Sequence, residues 1–213
     1  MTAIIFANGV LNQPAELGAL IRQAKLVIAA DGGAKHCEKL GFTPDILLGD
    51  LDSINPALLT IYQDKGIAIE RHPPQKDATD LELALDLAVA KDARTIWLLG
   101  ALGGRWDMSL ANIMLAASAK YQGQHIFLAG QNCIMQILHP GETRTISGRA
   151  EQKVSLLALQ GDVHGVNLTG FAYPLSGETL LFGSSRGVSN FMLTSEATVQ
   201  HTDGTLLCVL FDE

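Results

Sequence analysis

Apolar residues recur along the first two thirds of the chain in short unbroken runs, at residues 3–7, 26–30, 46–48, 67–70, 95–99 and 125–129. Runs without polar alternation suit strands covered on both faces, the condition of a parallel sheet flanked by helices. Between them lie longer amphipathic stretches at residues 14–23, 34–40, 56–65, 79–91 and 106–119. Strand and helix therefore alternate, which predicts βαβ units and a doubly wound, mostly parallel sheet.

After Pro140 the texture changes. Short apolar runs at residues 154–158, 179–181 and 206–211 are separated by turn signals, Gly161-Asp162, Ser176-Gly177 and Asp203-Gly204. No helical period appears, so the expectation is a small all-β sandwich or barrel. His139-Pro140-Gly141 marks the boundary, giving an α/β domain over residues 1–140 and a β-rich domain over residues 141–213.

Composition narrows the partners. With 47% apolar and 17% charged residues in 213, the chain supports a substantial core. A net charge of −7 argues against a nucleic-acid or anionic-membrane surface, which needs clustered Lys and Arg. Cys37, Cys133 and Cys208 are widely spaced and show no ligand pattern, so neither a disulfide framework nor a zinc site is expected. The N-terminus lacks the basic start of a signal peptide, and no apolar run approaches the roughly 18 residues of a membrane span. The expectation is a cytoplasmic protein acting on small molecules.

In open α/β sheets ligands bind beyond the carboxyl ends of the strands. Here the first predicted strand ends at Asn8-Gly9 and the second at Asp31-Gly32-Gly33. The third ends at Gly49-Asp50-Leu51-Asp52-Ser53, and the fourth leads through Lys76-Asp77 to Thr79-Asp80. The fifth opens into Gly100-Ala101-Leu102-Gly103-Gly104-Arg105-Trp106-Asp107. Nearly every acid and glycine of interest thus falls at one sheet edge, and the loops at the opposite edge are plainer.

Each motif alone has a plain structural explanation. Asp50 and Asp52 form a polar turn; should the strand stay extended past Leu48, they would also share a face and suit a hard divalent cation. Asp31 could cap the next helix, and Asp80 could serve the helix dipole behind an Asp77 cap. Arg105 with Gly103 and Gly104 offers an anion site at a helix start, without the pattern of a P-loop. Asp107 is either ligand-facing or an N-cap, and Ser189-Asn190 falls in a stretch that reads as a hairpin connection. It is the clustering of these motifs on one edge that points to metal-assisted phosphate chemistry.

In combination and in order, Asp31-Gly-Gly, Gly49-Asp50-Leu-Asp52-Ser53, Lys76-Asp77-x-Thr79-Asp80, Gly103-Gly104-Arg105-x-Asp107 and Gly187-x-Ser189-Asn190 resemble the thiamin pyrophosphokinase family. The resemblance implies transfer of the β,γ-diphosphate of ATP to the hydroxyl of thiamin, with Mg²⁺, by a homodimer whose sites lie at the subunit interface. It makes Asp31, Asp50, Asp52 and Asp80 the acids that handle Mg²⁺ and diphosphate, with Asp50, Asp52 and Asp80 closest to the chemistry. Lys76 and Thr79 border that site, Gly103, Gly104, Arg105 and Asp107 form a nucleotide-side loop, and Ser189 and Asn190 help receive thiamin. Many relatives have His after the aspartate of Gly-Gly-Arg-x-Asp, whereas this chain has Met108. Phe191 and, less directly, Trp106 are the aromatic candidates for stacking on thiamin.

Two other readings share parts of this pattern. A haloacid-dehalogenase-like phosphotransferase would use Asp50 as nucleophile after an apolar strand, but the motif follows the third strand and no later Asp-Asp pair exists. A non-catalytic nucleotide- or thiamin-binding protein would not need four acids.

Overall fold

The computed structural model describes residues 1–11 and 17–212. The chain forms two compact units: residues 1–115 with 126–131, and residues 116–125 with 132–213.

The first unit holds a sheet of strand order β6-β5-β1-β2-β3-β4. Its strands are β1 (Thr2–Phe6), β2 (Leu26–Ala30), β3 (Ile46–Gly49), β4 (Ala68–Arg71), β5 (Thr95–Leu99) and β6 (His125–Ala129). The pairs β1–β2, β1–β5, β2–β3 and β3–β4 are all parallel. The connecting helices are α1 (Leu17–Gln23), α2 (Ala34–Lys39), α3 (Pro56–Asp64), α4 (Asp80–Ala90) and α5 (Trp106–Ala116). Every predicted strand and helix of this unit is present; the start of the first predicted helix, residues 14–16, lies outside the described residues.

The unbroken apolar runs behave as expected in the central strands. β2 and β3 are buried throughout, whereas edge strand β4 is not, because helices and neighbours cover it less completely. Ile4 and Phe6 share one face of β1 and join Val27, Ala29 and Leu47 in a core with Ala34, Cys37, Leu58 and Tyr62. Helix α4 packs against β1, β2 and β3 and buries Leu81, Ala84, Leu85 and Ala88. Helix α3 starts where it does because Asn55 accepts from the Ala57 N–H at 2.9 Å and Pro56 needs no partner for its nitrogen.

The second unit contains two sets of antiparallel strands, in the orders β12-β9-β14-β7 and β11-β10-β13-β8. The strands are β7 (Cys133–Leu138), β8 (Thr143–Ser147), β9 (Lys153–Ala158), β10 (Val163–Thr169), β11 (Leu175–Leu180), β12 (Asn190–Phe191), β13 (Glu196–Gln200) and β14 (Leu206–Phe211). Their inward residues, among them Leu138, Ile146, Leu156, Val166, Val199 and Leu206, form one buried cluster with Phe171 from the β10–β11 connection. The doubly wound sheet followed by a small β sandwich is the fold class expected from the sequence. Ser176-Gly177, expected as a turn, lies inside β11 instead, where the pairing with β10 is irregular. Strands β7, β8, β10, β12 and β13 were not foreseen.

Two histidines of this unit carry a pH dependence. His201 is buried and its Nδ1 has no hydrogen-bond partner among the described residues, and the same holds for the buried Nε2 of His139. Burial holds both below the ordinary imidazole value; His201 and Arg144 depress His139 further against Glu142, while the Gly204 carbonyl and Asp203 partly offset the effect on His201. Between the folded pKa values and the ordinary 6.5 the unfolded chain binds more protons than the native one, so stability rises with pH there. Thermal unfolding should therefore show stability fully present above pH 6.5 and lost as pH falls through the folded values. A His139→Gln/His201→Gln double variant is expected to lose that part of the slope.

Candidate active site

Strands β2 and β5 flank β1 on opposite sides, so the chain's direction of travel across the sheet reverses there, and a crevice opens beyond the carboxyl ends. A cavity of about 680 Å³ occupies this edge of the first unit, lined by residues that follow β1, β2, β3, β4 and β5. Of the residues singled out in the sequence, Asp31, Asp50, Lys76, Thr79, Asp80, Gly103, Gly104 and Arg105 line it. Met108 and Asn112 line it too, and Asn112 is held by a 2.7 Å bond to the Ala101 carbonyl.

Asp31, Asp50 and Asp52 each place a carboxylate oxygen within 4.8 Å of the others. The reason is not the extended geometry considered above. β3 ends at Gly49, and Leu51 turns back at φ 67° with its side chain buried in the core beside Ile54. That buried leucine works as an anchor, turning the flanking aspartates outward on a tight loop in which the Asp52 N–H bonds Asp50 Oδ1 at 3.1 Å. Asp31 also has a positive φ of 46°, a conformation sparsely populated for non-glycine residues but tolerated by aspartate.

One oxygen of this cluster is conspicuous. Asp31 Oδ1 is buried and has no hydrogen-bond partner among the described residues. A buried carboxylate oxygen left unpaired costs about 1–3 kcal/mol or more, because its hydration is lost without replacement. Three all-oxygen ligands around an orphaned lone pair fit a hard divalent cation such as Mg²⁺.

Asp80 stands apart from the trio. It occupies the first turn of α4 and is ion-paired with Lys76 four residues earlier, both partly buried. The helix is capped by Thr79, whose hydroxyl accepts from the Glu82 N–H at 3.2 Å, and not by Asp77 as the sequence suggested. Thr79→Ala is expected to cost about 1 kcal/mol of stability in urea denaturation.

The loop after β5 carries Gly103 and Gly104 at φ 85° and 77°. Ser109 ties this loop to α5, accepting from the Gly103 N–H at 3.0 Å and donating to the Arg105 carbonyl at 3.0 Å. Arg105 and Asp107 form an exposed two-pronged ion pair. Hydrogen bonds from Arg105, then from the Met108 N–H, hold the Asp107 carboxyl below its ordinary range; the same pairing raises the guanidinium. Asp107 and Asp52 belong to the site loops without lining the cavity.

Ser189 and Asn190 lie in the second unit. Ser189 takes a positive φ of 60°, and its N–H bonds Ser155 Oγ at 3.1 Å. The Asn190 side chain is buried and bonded at both polar atoms: Oδ1 accepts from the Tyr173 and Phe191 N–H groups at 2.9 Å, and Nδ2 donates to the Tyr173 carbonyl at 2.8 Å. Asn190 therefore grips the backbone of Tyr173, an exposed aromatic that sequence reasoning passed over. Phe191 is half-buried, and Trp106 stands 89% exposed at the start of α5.

Two further cavity residues were missed as site candidates, Asn8 and Lys35. The signal was present, since Asn8 follows the first strand and Lys35 lies four residues beyond Asp31. No cysteine competes for a nucleophilic role: burial pushes Cys37 and Cys208 up to about 12, and Cys133 upward as well.

The family model described as the catalytic domain of thiamin pyrophosphokinase matches residues 17–128, and that described as its vitamin B1 binding domain matches residues 143–206. The thiamine pyrophosphokinase of Bacillus subtilis strain 168 is 30% identical over 208 residues, spanning 98% of this chain and 97% of that protein. Crystal structures of the thiamine pyrophosphokinase from Bacillus subtilis and of a thiamin pyrophosphokinase from Geobacillus thermodenitrificans, each 29% identical, superpose with TM-scores of 0.87 and 0.85. The first match covers 100% of both chains, and the second 100% of this chain and 98% of the other. With matches running the length of the chain and two family domains in their expected order, the chain belongs to the thiamin pyrophosphokinase family.

Proposed function

We propose that the protein transfers the β,γ-diphosphate of ATP to the hydroxyl of thiamin, releasing AMP and thiamin diphosphate. The observation that carries this reading is the carboxylate trio of Asp31, Asp50 and Asp52, with its orphaned buried oxygen, at the edge of a cavity of about 680 Å³. Asp31, Asp50 and Asp52 would hold Mg²⁺, with Asp80 joining them once released from Lys76. Bound there, the metal supplies charge neutralisation for the polyphosphate and for the leaving α-phosphate oxygen.

The residues' own part is positioning and electrostatics, which dominate phosphoryl-type transfer. Lys76, released from Asp80, meets phosphate oxygens beside the Thr79 cap. The glycine loop lets the backbone approach the phosphates closely, and Arg105 exchanges Asp107 for phosphate. An aspartate of the cluster accepts the thiamin hydroxyl proton. In this reading residues 1–140 bind nucleotide and metal, while residues 141–213 contribute thiamin binding and dimerisation. Ser189 meets thiamin, and Asn190 acts through the backbone it holds. The working unit is a cytoplasmic homodimer with sites at the subunit interface.

Incubation with Mg·ATP and thiamin tests the reaction. AMP and thiamin diphosphate are expected in equal amounts. ADP as the nucleotide product, or a phosphate trapped covalently on Asp50, would favour the dehalogenase-like mechanism instead.

A further inference from the structure

Among the described residues lining the cavity three are cations, Lys35, Lys76 and Arg105. Two already have acid partners, Lys76 with Asp80 and Arg105 with Asp107. Lys35 differs. Its Nζ donates to the Asn8 carbonyl at 2.9 Å and to Asn8 Oδ1 at 2.5 Å, both neutral oxygens. An ammonium has three donors and no acceptor, so these bonds fix the nitrogen while leaving its charge and one N–H unspent.

The arrangement is built into the strand-to-helix turn after β2. The Asn8 side chain rests against Gly32, where an added Cβ would fall 2.4 Å from Asn8 Cγ and Nδ2. Gly32 follows Asp31, a member of the carboxylate trio, and with Gly33 leads into the helix that carries Lys35. One short segment, Asp31-Gly32-Gly33-Ala34-Lys35, thus supplies an acid and a cation to the same cavity and leaves room for the asparagine that steadies the cation. Its glycine is the only residue type that admits Asn8 so close.

We propose that Lys35, positioned by Asn8, binds the β,γ-phosphates of the nucleotide. The proposal rests on the diphosphokinase reading above and adds a residue to it. The β,γ end is assigned because Lys35 comes from the same turn as Asp31, whose unpartnered oxygen belongs to the metal-binding cluster. With the other two lining cations held by acids, Lys35 is the lining cation whose hydrogen-bond partners are neutral, so no salt bridge has to break before it meets a phosphate.

Equilibrium displacement of a fluorescent ATP analogue, measured without turnover, separates this assignment from the reaction itself. Lys35→Met is expected to weaken Mg·ATP about tenfold or more, the loss of a charge-assisted hydrogen bond, while AMP, which lacks the β,γ-phosphates, stays within about twofold. Lys35→Arg should recover most of the affinity, and Asn8→Ala should fall between, since it frees the cation without removing it. In steady state the KM for ATP rises and that for thiamin does not. Unchanged ATP affinity in Lys35→Met, or an equal loss for AMP and ATP accompanied by a lower melting temperature, overturns the proposal. Should the wild type bind nucleotide with this selectivity yet form no thiamin diphosphate, the phosphate contact stands and the diphosphokinase reading falls.

Discussion

Replacing Asp31 by Asn is expected to lower turnover at least about a hundredfold, ~2.7 kcal/mol of transition-state stabilisation, with no loss of fold. Asparagine matches aspartate in shape and tolerates the positive φ of 46° at this position, so the backbone has no reason to move. What disappears is one charge from three carboxylates gathered within 4.8 Å. Without metal those charges repel, so the variant's melting temperature should equal or slightly exceed that of the wild type. Mg²⁺ should raise the wild-type melting temperature, because a ligand at a hundred times its Kd stabilises by about 2.7 kcal/mol. In Asp31→Asn that gain should shrink sharply. A large fall in stability of the metal-free variant would mean instead that Asp31 serves the turn.

Gly33→Ala is expected to act on stability, through backbone contact and not through the site's charge. Gly33 is buried at φ −59°, an angle any residue adopts, so conformational preference is not the issue. A Cβ there would sit 2.0 Å from the Phe6 carbonyl oxygen and 2.6 Å from its carbon, inside the backbone of β1. Relief requires pulling α2 away from β1 and opening the core at Ala34 and Cys37. Overpacking of this kind costs ~3 kcal/mol, read as a lowered denaturation midpoint with an unchanged slope. Activity per folded molecule should fall too, since Asp31 and Lys35 flank the displaced segment.

The parallel sheet was legible because covered strands leave unbroken apolar runs; β1, β2, β3 and β5 are such runs, and each ends in a polar loop at the same edge. The second unit was legible as a class and in β9 and β14, whose apolar runs are nearly unbroken, but not in most of its other strands. β10 and β13 alternate inward apolar with outward polar residues, and Thr143-Arg144-Thr145-Ile146-Ser147 of β8 has the composition of a loop although Ile146 is buried. The acid cluster was found for a sound reason, its position at the sheet edge, yet its geometry was not. Asp50 and Asp52 converge through a left-handed, buried Leu51, and backbone conformation of that kind is not written in composition. Asn190 and Lys35 show the complementary limit. The first was visible as a motif but serves the backbone of Tyr173; the second is an ordinary lysine until the fold sets it against Asn8.

The central claim is that Asp31, Asp50 and Asp52 gather a divalent metal with the nucleotide's phosphates. Crystals grown with Mn²⁺ and a non-hydrolysable ATP analogue test it most directly, by anomalous scattering at a wavelength where manganese dominates. A manganese peak bounded by carboxylate oxygens of Asp31, Asp50 and Asp52 and by phosphate oxygens is expected. A manganese peak held elsewhere, with Asp31 Oδ1 still unpartnered beside the bound nucleotide, would contradict it.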